Sequence, residues 1–441
     1  MSYQEEQNKL LASFLDYYFT AWKEENCKKK EFGNFVNLEL DVTSECNLAC
    51  KYCYLNRYGK ELIPPCPKET ILRNTDALLK FLRDRRLVPE FEIFSGEPLI
   101  QDVVFEIIEK IIDTYKDFQV KPRIVIPTNG TFLLSKKLTK RVEDLIKKGR
   151  ENGIEILLSL SIDGKYCDSN RPFKKRKTDP RDDKYYEKCF KFAKKYGFGF
   201  HPMIYSENIE KWKDNFLWFM KNFQKHGLPL TSLYLLEVRN KEWTPEQIVE
   251  FMKFLNFLVK WTWKAFGEDK ERFLRFFFEG KGFNILQNPF ITCGRGLGCS
   301  IQSTITIRLC DLAIVPCHRL AYPGFVAGYF VVEDGEIKRI KAHNPELFIT
   351  IMTLDGKTQP MCEVCLLKEM CSFGCLGSQY ETTGSPFTPI PTVCLLEHAK
   401  VLAIVLALKE IGILEDVKRR IKIEKQHTIE EVLKIWKELK Q

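Results

Sequence analysis

Ser44-Glu45-Cys46-Asn47-Leu48-Ala49-Cys50-Lys51-Tyr52-Cys53-Tyr54, residues 44–54, follows directly on the strand-length apolar run Leu38–Val42. Three thiolates separated by three and then two residues can wrap one face of a cubane iron–sulfur cluster. Three protein ligands leave one iron without a side chain, and an open iron is where chemistry can occur. A structural zinc site would normally take four ligands, and no His lies close by to supply the fourth. The position of the cysteines, at the end of a strand, decides how the rest of the chain is read.

Outward from this stretch, apolar runs of strand length recur at Phe91–Phe94, Ile124–Ile126, Ile156–Ile162, Phe198–Ile204 and Leu233–Val238. Lysine-rich amphipathic helices lie between them, among them Lys68–Arg85 and Val103–Tyr115. Strand–helix alternation repeated about six times implies a parallel sheet, open or curled into a partial barrel. Leu10, Leu11, Phe14, Leu15, Tyr18, Phe19 and Trp22 fall at helical spacing and predict an amphipathic helix over residues 7–24. Thr244 as N-cap, Pro245 in the first turn and Gln247 three residues on mark a capped helix that runs to about Phe266. Beyond Cys293 the pattern shifts to short strands, glycines and cysteines, and two helices close the chain, the last capped by Thr428 with Glu431.

A chain of 441 residues is long for one core, so a large domain with a smaller one attached is expected. Its 44% hydrophobic content, with 33 Phe, argues for a packed interior and against disorder. No apolar stretch approaches the length of a membrane span, and Met1–Glu6 lacks the basic-then-apolar order of a signal peptide. The reading is a soluble, cytoplasmic protein without membrane contact, in which 16 cysteines at short spacings point to metal rather than disulfides. The net charge of +9 reads as a solubility setting, and the densest basic run, Lys174-Lys175-Arg176-Lys177, as a solvated loop rather than a nucleic-acid patch.

With these residues in view, the chain resembles the radical SAM superfamily. Cys46, Cys50 and Cys53, with Tyr52 just before the last cysteine, match its C-x3-C-x2-C signature after the first strand of a partial (β/α)6 barrel. The resemblance implies a [4Fe-4S] cluster whose open iron chelates the methionyl group of S-adenosyl-L-methionine. One electron then gives methionine and a 5′-deoxyadenosyl radical that takes hydrogen from substrate, chemistry carried by the cofactor while the protein orients it and excludes water. Ser95-Gly96-Glu97-Pro98 looks like the family's GGEP motif, which binds the methionyl amino group, with Ser95 in place of the first glycine. Thr128-Asn129-Gly130 and Ser161-Ile162-Asp163-Gly164 resemble segments near the ribose and methionyl carboxylate, and imply cofactor contacts from Asn129 and Ser161. Arg171 is positioned downstream to pair with the carboxylate.

Nine further cysteines occupy the C-terminal third. The block Cys362-x2-Cys365-x5-Cys371-x3-Cys375, followed by Cys394, resembles the SPASM extension of peptide- and protein-modifying radical SAM enzymes. That resemblance implies two auxiliary [4Fe-4S] clusters, three clusters in all. Cys293, Cys299, Cys317 and Cys375 would bind one, and Cys362, Cys365, Cys371 and Cys394 the other; a zinc ribbon is the alternative for the Cys362 block. Two departures stand out. The family usually has a glycine five residues before the cysteine aligned with Cys317, and here Leu312 stands there, with Cys310 nearby as an alternative ligand. Sulfatase-maturating members place an Asp base after that cysteine, whereas this chain has His318, which would be the catalytic base.

The expected organisation is an α/β protein: an N-terminal helical extension (1–35), a radical SAM partial barrel (36–270), a SPASM domain (271–396) and C-terminal helices (397–441). The expected activity is oxidative modification of a peptide or protein side chain, as a thioether or carbon–carbon crosslink. Formylglycine maturation of a sulfatase and two-electron oxidation of a small-molecule alcohol are the enzymatic alternatives. A non-catalytic iron–sulfur electron-transfer protein is the alternative outside enzymes. Expected partners are the peptide or protein substrate, a reductant such as flavodoxin or ferredoxin, and a separate leader-peptide-binding protein.

Overall fold

The computed structural model describes residues 2–28, 37–94, 96–279, 283–291, 300–354, 359–371 and 374–439. Its strands are β1 Asn37–Asp41, β2 Glu90–Phe94, β3 Arg123–Thr128, β4 Glu155–Leu160, β5 Gly199–Phe200, β6 Met203–Ile204, β7 Leu236–Glu237, β8 Thr304–Arg308, β9 Ala313–Val315, β10 Gly328–Glu333 and β11 Glu336–Ala342. The chain forms two compact units, each discontinuous in sequence: Met1–Ser161 with Pro172–Cys189 and Ser300–Thr353, and Ile162–Arg171 with Phe190–Cys299 and Leu354–Gln441.

In the first unit the sheet runs β11-β10-β9-β8-β1-β2-β3-β4. From β8 through β4 all pairings are parallel, whereas β8, β9, β10 and β11 form antiparallel neighbours. Helices Lys68–Asp84, Asp102–Tyr115 and Lys136–Glu151 make the crossovers that parallel pairing demands. Their apolar stripes, such as Ile107, Ile108, Ile111 and Ile112, are fully buried. β1 is therefore central, with parallel partners on both sides. Its Leu38 and Leu40 belong to the buried core, and so do Phe91 and Ile93 of β2. The opening helix, Tyr3–Lys28, buries Leu11, Leu15, Tyr18 and Phe19; Asn8 Oδ1 accepts from Ala342 N at 2.8 Å and Gln4 Nε2 donates to Ala342 O at 3.0 Å, tying the helix to β11.

In the second unit β6 pairs with β7 in parallel. The single strand expected over Phe198–Ile204 is broken into β5 and β6 at His201-Pro202, because proline has no N–H to give a ladder. Helix Pro245–Ala265 carries the capping box its sequence predicts: Gln247 N donates to Thr244 Oγ1 (3.4 Å) and Thr244 N donates to Gln247 Oε1 (2.9 Å). It packs on Pro391–Glu410, a helix long and apolar enough, by length and composition alone, to cross a membrane. That is at odds with the sequence expectation, but the helix is mostly buried here and buries Glu397 and Lys400 as well. The last helix, Ile423–Glu438, begins at N-cap Lys422, so Thr428 is not its cap. The Thr428 hydroxyl instead bonds back to Glu424 O at 3.1 Å, the alternative a mid-helix threonine has available.

Thr244→Ala removes one half of the capping box and should destabilise the protein by about 1 kcal/mol. The loss should appear as a lower denaturant midpoint with an unchanged slope, and a midpoint equal to wild type would show that the box contributes nothing.

Candidate active site

The loop after β1 is set by contacts that side chains would spoil. Gly96 N donates to Thr43 O at 2.8 Å and Glu97 N to Glu45 O at 2.9 Å. A Cβ on Gly96 would lie 2.1 Å from Glu45 O, so the two backbones approach as only glycine allows. The Glu97 carboxylate is fully buried and ties three segments together: Leu99 N (3.1 Å) and Thr128 Oγ1 (2.6 Å) donate to Oε1, and Asn129 N (2.6 Å) donates to Oε2. Asn129 Nδ2 in turn donates to Asn47 Oδ1 at 2.9 Å and lies 3.7 Å from Cys46 Sγ, while its Oδ1 accepts from Thr131 N and Oγ1. Thus residues 96–97 and 128–131 brace the cysteine loop.

Cys46, Cys50 and Cys53 are partly exposed and lie within electrostatic reach of one another. Burial, then the Glu97 charge and the neighbouring thiols, push the Cys46 thiol up to about 12, against the Leu48 N–H that donates to its sulfur at 3.4 Å. Metal binding must therefore displace that proton. Among the described residues no three His, Cys, Asp or Glu side chains converge tightly enough to hold a single metal ion. A cubane asks for a wider triangle, each thiolate on a different iron. Three neighbouring thiols on a loop with no fourth protein ligand fit such a cluster.

Of the other residues expected to meet the cofactor, Tyr52 and Pro98 are buried and Ser95 lies outside the described residues. Ser161 directly follows β4, half-buried, with its N–H donating to Thr128 O at 2.7 Å. In the second unit Arg171 is buried, its Nε 2.9 Å from Oδ1 of the fully buried Asp163, and that oxygen also accepts from Met203 N at 2.9 Å. Burial, helped by the Arg171 charge, pushes neighbouring His201 down to about 4.

A second feature of the first unit is a polar face across β8, β1 and β2. The register sets Thr306 and Glu92 beside Glu39 in one row, and Arg308 and Phe94 beside Asp41 in the next. Glu39 Oε2 accepts from the Thr306 hydroxyl and from His318 N at 3.1 Å, and lies 3.1 Å from His318 Nδ1. The His318 ring stacks on Phe94, centroids 3.7 Å apart at 10°. Burial alone would lower the His318 pKa, but Glu39, Asp41 and Glu92 together raise it to about 9, and the ring holds a proton at neutral pH. Asp41 is fully buried with neither carboxylate oxygen hydrogen-bonded; burial, with the Glu39 charge, pushes it up to about 7 against His318 and Arg308. Burial and the Glu39 charge do the same to Glu92, also to about 7. Sequence reasoning reached His318 and passed over these acids. The available signal was Glu39 and Asp41 alternating with Leu38, Leu40 and Val42 in a strand flanked by cysteines.

Cys317 precedes His318 in the turn closed by Leu320 N donating to Cys317 O at 2.9 Å. Cys310 neighbours Cys66: the Cys66 thiol interacts with it and lies 3.8 Å from its carbonyl, and Asn74 Nδ2 donates to the same carbonyl at 3.0 Å. Leu312, where the SPASM resemblance leads one to expect glycine, adopts φ 56° while buried, a left-handed backbone that favours glycine. Cys293 and Cys299 lie outside the described residues.

In the second unit, burial and then Cys394 and Cys365 push Cys362 up to about 11, and Cys394 is raised by burial, Cys365 and Glu397. Cys371 lies within electrostatic reach of Arg239. Arg239 and Lys400 form a buried network with Glu237 and Glu397, at 2.6–3.0 Å. Cys375 is the N-cap of helix Leu376–Thr383.

Over residues 40–219 the chain matches the radical SAM superfamily. An uncharacterized protein of Methanocaldococcus jannaschii is 30% identical over 233 residues, 51% of this chain and 72% of that protein. A probable GTP 3′,8-cyclase of Methanococcus vannielii is 32% identical over 139 residues, which span 31% of this chain and 41% of the cyclase. Among solved structures, anSMEcpe with bound AdoMet aligns with a TM-score of 0.56 over 89% of this chain and 98% of its own, at 18% identity. Streptococcus suis SuiB bound to its precursor peptide SuiA aligns with a TM-score of 0.50 over 83% and 77%, at 15% identity.

Two substitutions test the site. Gly96→Ala should push the cysteine loop off its seat and cut cofactor cleavage at least about tenfold with the fold retained by circular dichroism, the kind of loss a misplaced first ligand causes; wild-type turnover would refute the close approach. Asp41 is neutral in the folded protein up to about pH 7 but ionises near 3.8 when unfolded. The stability this contributes is complete below pH 4 and is lost as pH rises through 7, by roughly 4 kcal/mol at most. Asp41→Asn should flatten that decline, matching or exceeding wild-type thermal stability at pH 8. A variant with the wild-type pH slope would exclude Asp41 as its source.

Proposed function

Because the chain belongs to the radical SAM superfamily, we propose that it uses S-adenosyl-L-methionine and a [4Fe-4S] cluster to modify a peptide or protein side chain oxidatively, forming a thioether or carbon–carbon crosslink. When bound, the cluster and S-adenosyl-L-methionine supply a 5′-deoxyadenosyl radical that abstracts hydrogen from substrate. The observation that carries this reading is the loop of Cys46, Cys50 and Cys53 held in place by Gly96, Glu97 and Asn129.

The protein's own part is to position and to manage protons. Glu97 keeps the loop and the Thr128-Asn129-Gly130 turn in fixed relation, and Ser161 offers its hydroxyl at the end of β4. Oxidative bond formation releases a proton, and Asp41, near pKa 7 with unbonded oxygens, is suited to accept it once ionised, above that pH. A peptide substrate is supported by the likeness in fold to anSMEcpe and SuiB, both also solved with peptides bound. Two auxiliary clusters are supported by the mutual proximity of Cys362, Cys365 and Cys394 and by the left-handed Leu312 five residues before Cys317. Such clusters would take the electron that the substrate must lose after hydrogen abstraction.

After anaerobic reconstitution, Cys53→Ala should form no 5′-deoxyadenosine. Cys317→Ala should still form it yet give little or no modified product, and Cys310→Ala should behave as wild type. Wild-type cleavage by Cys53→Ala would place the catalytic cluster elsewhere, while a dead Cys310→Ala beside an active Cys317→Ala would reverse the ligand choice.

A further inference from the structure

The basic run Lys174-Lys175-Arg176-Lys177 is exposed, and among the described residues none of the four pairs with a carboxylate; Arg176 lies over the Phe173 ring, 5.5 Å from its centroid. A solvated loop would be free to sit anywhere, but this one is stapled to the cysteine loop by its backbone. Ala49 N donates to Pro172 O at 2.7 Å, Lys174 N donates to Asn47 O at 2.9 Å, and Leu48 and Phe173 form an antiparallel bridge between them. Cys46, Asn47, Phe173, Lys174, Lys175 and Arg176 consequently share the wall of one surface cavity of about 420 Å³, with Glu45 the acidic residue at its edge. Three of the four cations thus line the same cavity as Cys46.

We propose that Lys174–Lys177 is the docking surface for an acidic one-electron carrier protein that reduces the cluster held by Cys46, Cys50 and Cys53. This rests on the cluster proposed above. In the step, the carrier is oxidised by one electron and the cluster is reduced by one; no bond is made or broken and no proton moves. A transient redox partner needs only a small interface with complementary charge, and unpaired lysines beside the acceptor supply steering that salt screens. The backbone staples keep that charge within one residue of a cluster ligand, which a site for nucleic acid would not require.

The test uses the full chain carrying its clusters and the variant Lys174→Glu/Lys175→Glu/Arg176→Glu/Lys177→Glu. Two reductants are compared: flavodoxin hydroquinone as the acidic protein donor, and photoreduced deazaflavin as a small one that needs no docking. At low salt the variant should be reduced by flavodoxin about tenfold or more slowly than wild type, with its salt dependence lost. Deazaflavin should reduce both equally, as followed by bleaching of cluster absorbance and the paramagnetic resonance of the reduced cluster. Calorimetric binding of oxidised flavodoxin at low salt should weaken in parallel. The corresponding Lys→Gln and Arg→Gln variant should fall between the two and arbitrates if charge reversal disturbs the cluster. Equal flavodoxin rates and affinities in wild type and the glutamine variant overturn the proposal. So does a variant that keeps flavodoxin reduction but loses binding to an acidic peptide or to single-stranded nucleic acid. Failure of deazaflavin to reduce wild type would instead overturn the cluster reading itself.

Discussion

The active region depends on a missing side chain. At Gly96 two backbones meet so closely that a methyl group would overlap Glu45 O, and the cysteine loop takes its place from that contact. The neighbouring Glu97 then converts a local approach into a rigid bracket. Burying a carboxylate is costly unless it is well bonded, and Glu97 meets that demand with donors from Leu99, Thr128 and Asn129. Because Thr128 and Asn129 lie at the end of β3 and Leu99 in the turn Pro98–Ile100 that follows β2, the loop is referenced to the sheet. Asn129 passes the reference on to Asn47 and Cys46.

The same sheet carries its charge on one face, and the logic there is the reverse. Glu39 is satisfied by Thr306 and His318, so its charge is held, and burial is outweighed. Asp41, one row along, has no hydrogen bond and gives up its charge near neutrality. Two carboxylates of one strand thus take opposite protonation states because their neighbours across β8 and β2 differ. The protonated ring of His318, pressed on Phe94, is held by the charged member of the pair.

Much of this was legible in the sequence. The alternation of strands and helices, the C-x3-C-x2-C loop and the Thr244 capping box are local patterns, and each found its predicted place. What escaped were properties of neighbours brought together by folding. Asp41 looks like an ordinary strand residue until β8 and β2 are set beside β1. Thr428 has the letters of a cap but sits within a helix already begun at Ile423. Helix Pro391–Glu410 is long and apolar enough to cross a membrane, against the sequence expectation, and its Glu397 and Lys400 are buried against Arg239 and Glu237. The basic run at 174–177 read as solvent-facing charge, and its backbone bridge to Leu48 spans more than a hundred residues of sequence.

Leu312 adopts a left-handed backbone that costs an ordinary residue about 1–2 kcal/mol, yet it does so in the interior. Such a turn is held by its surroundings: Asp311 bonds to Arg308, and Phe330 N donates to Leu312 O. A description of the chain by its torsions records this turn as a left-handed one, where a description by residue type records only a leucine.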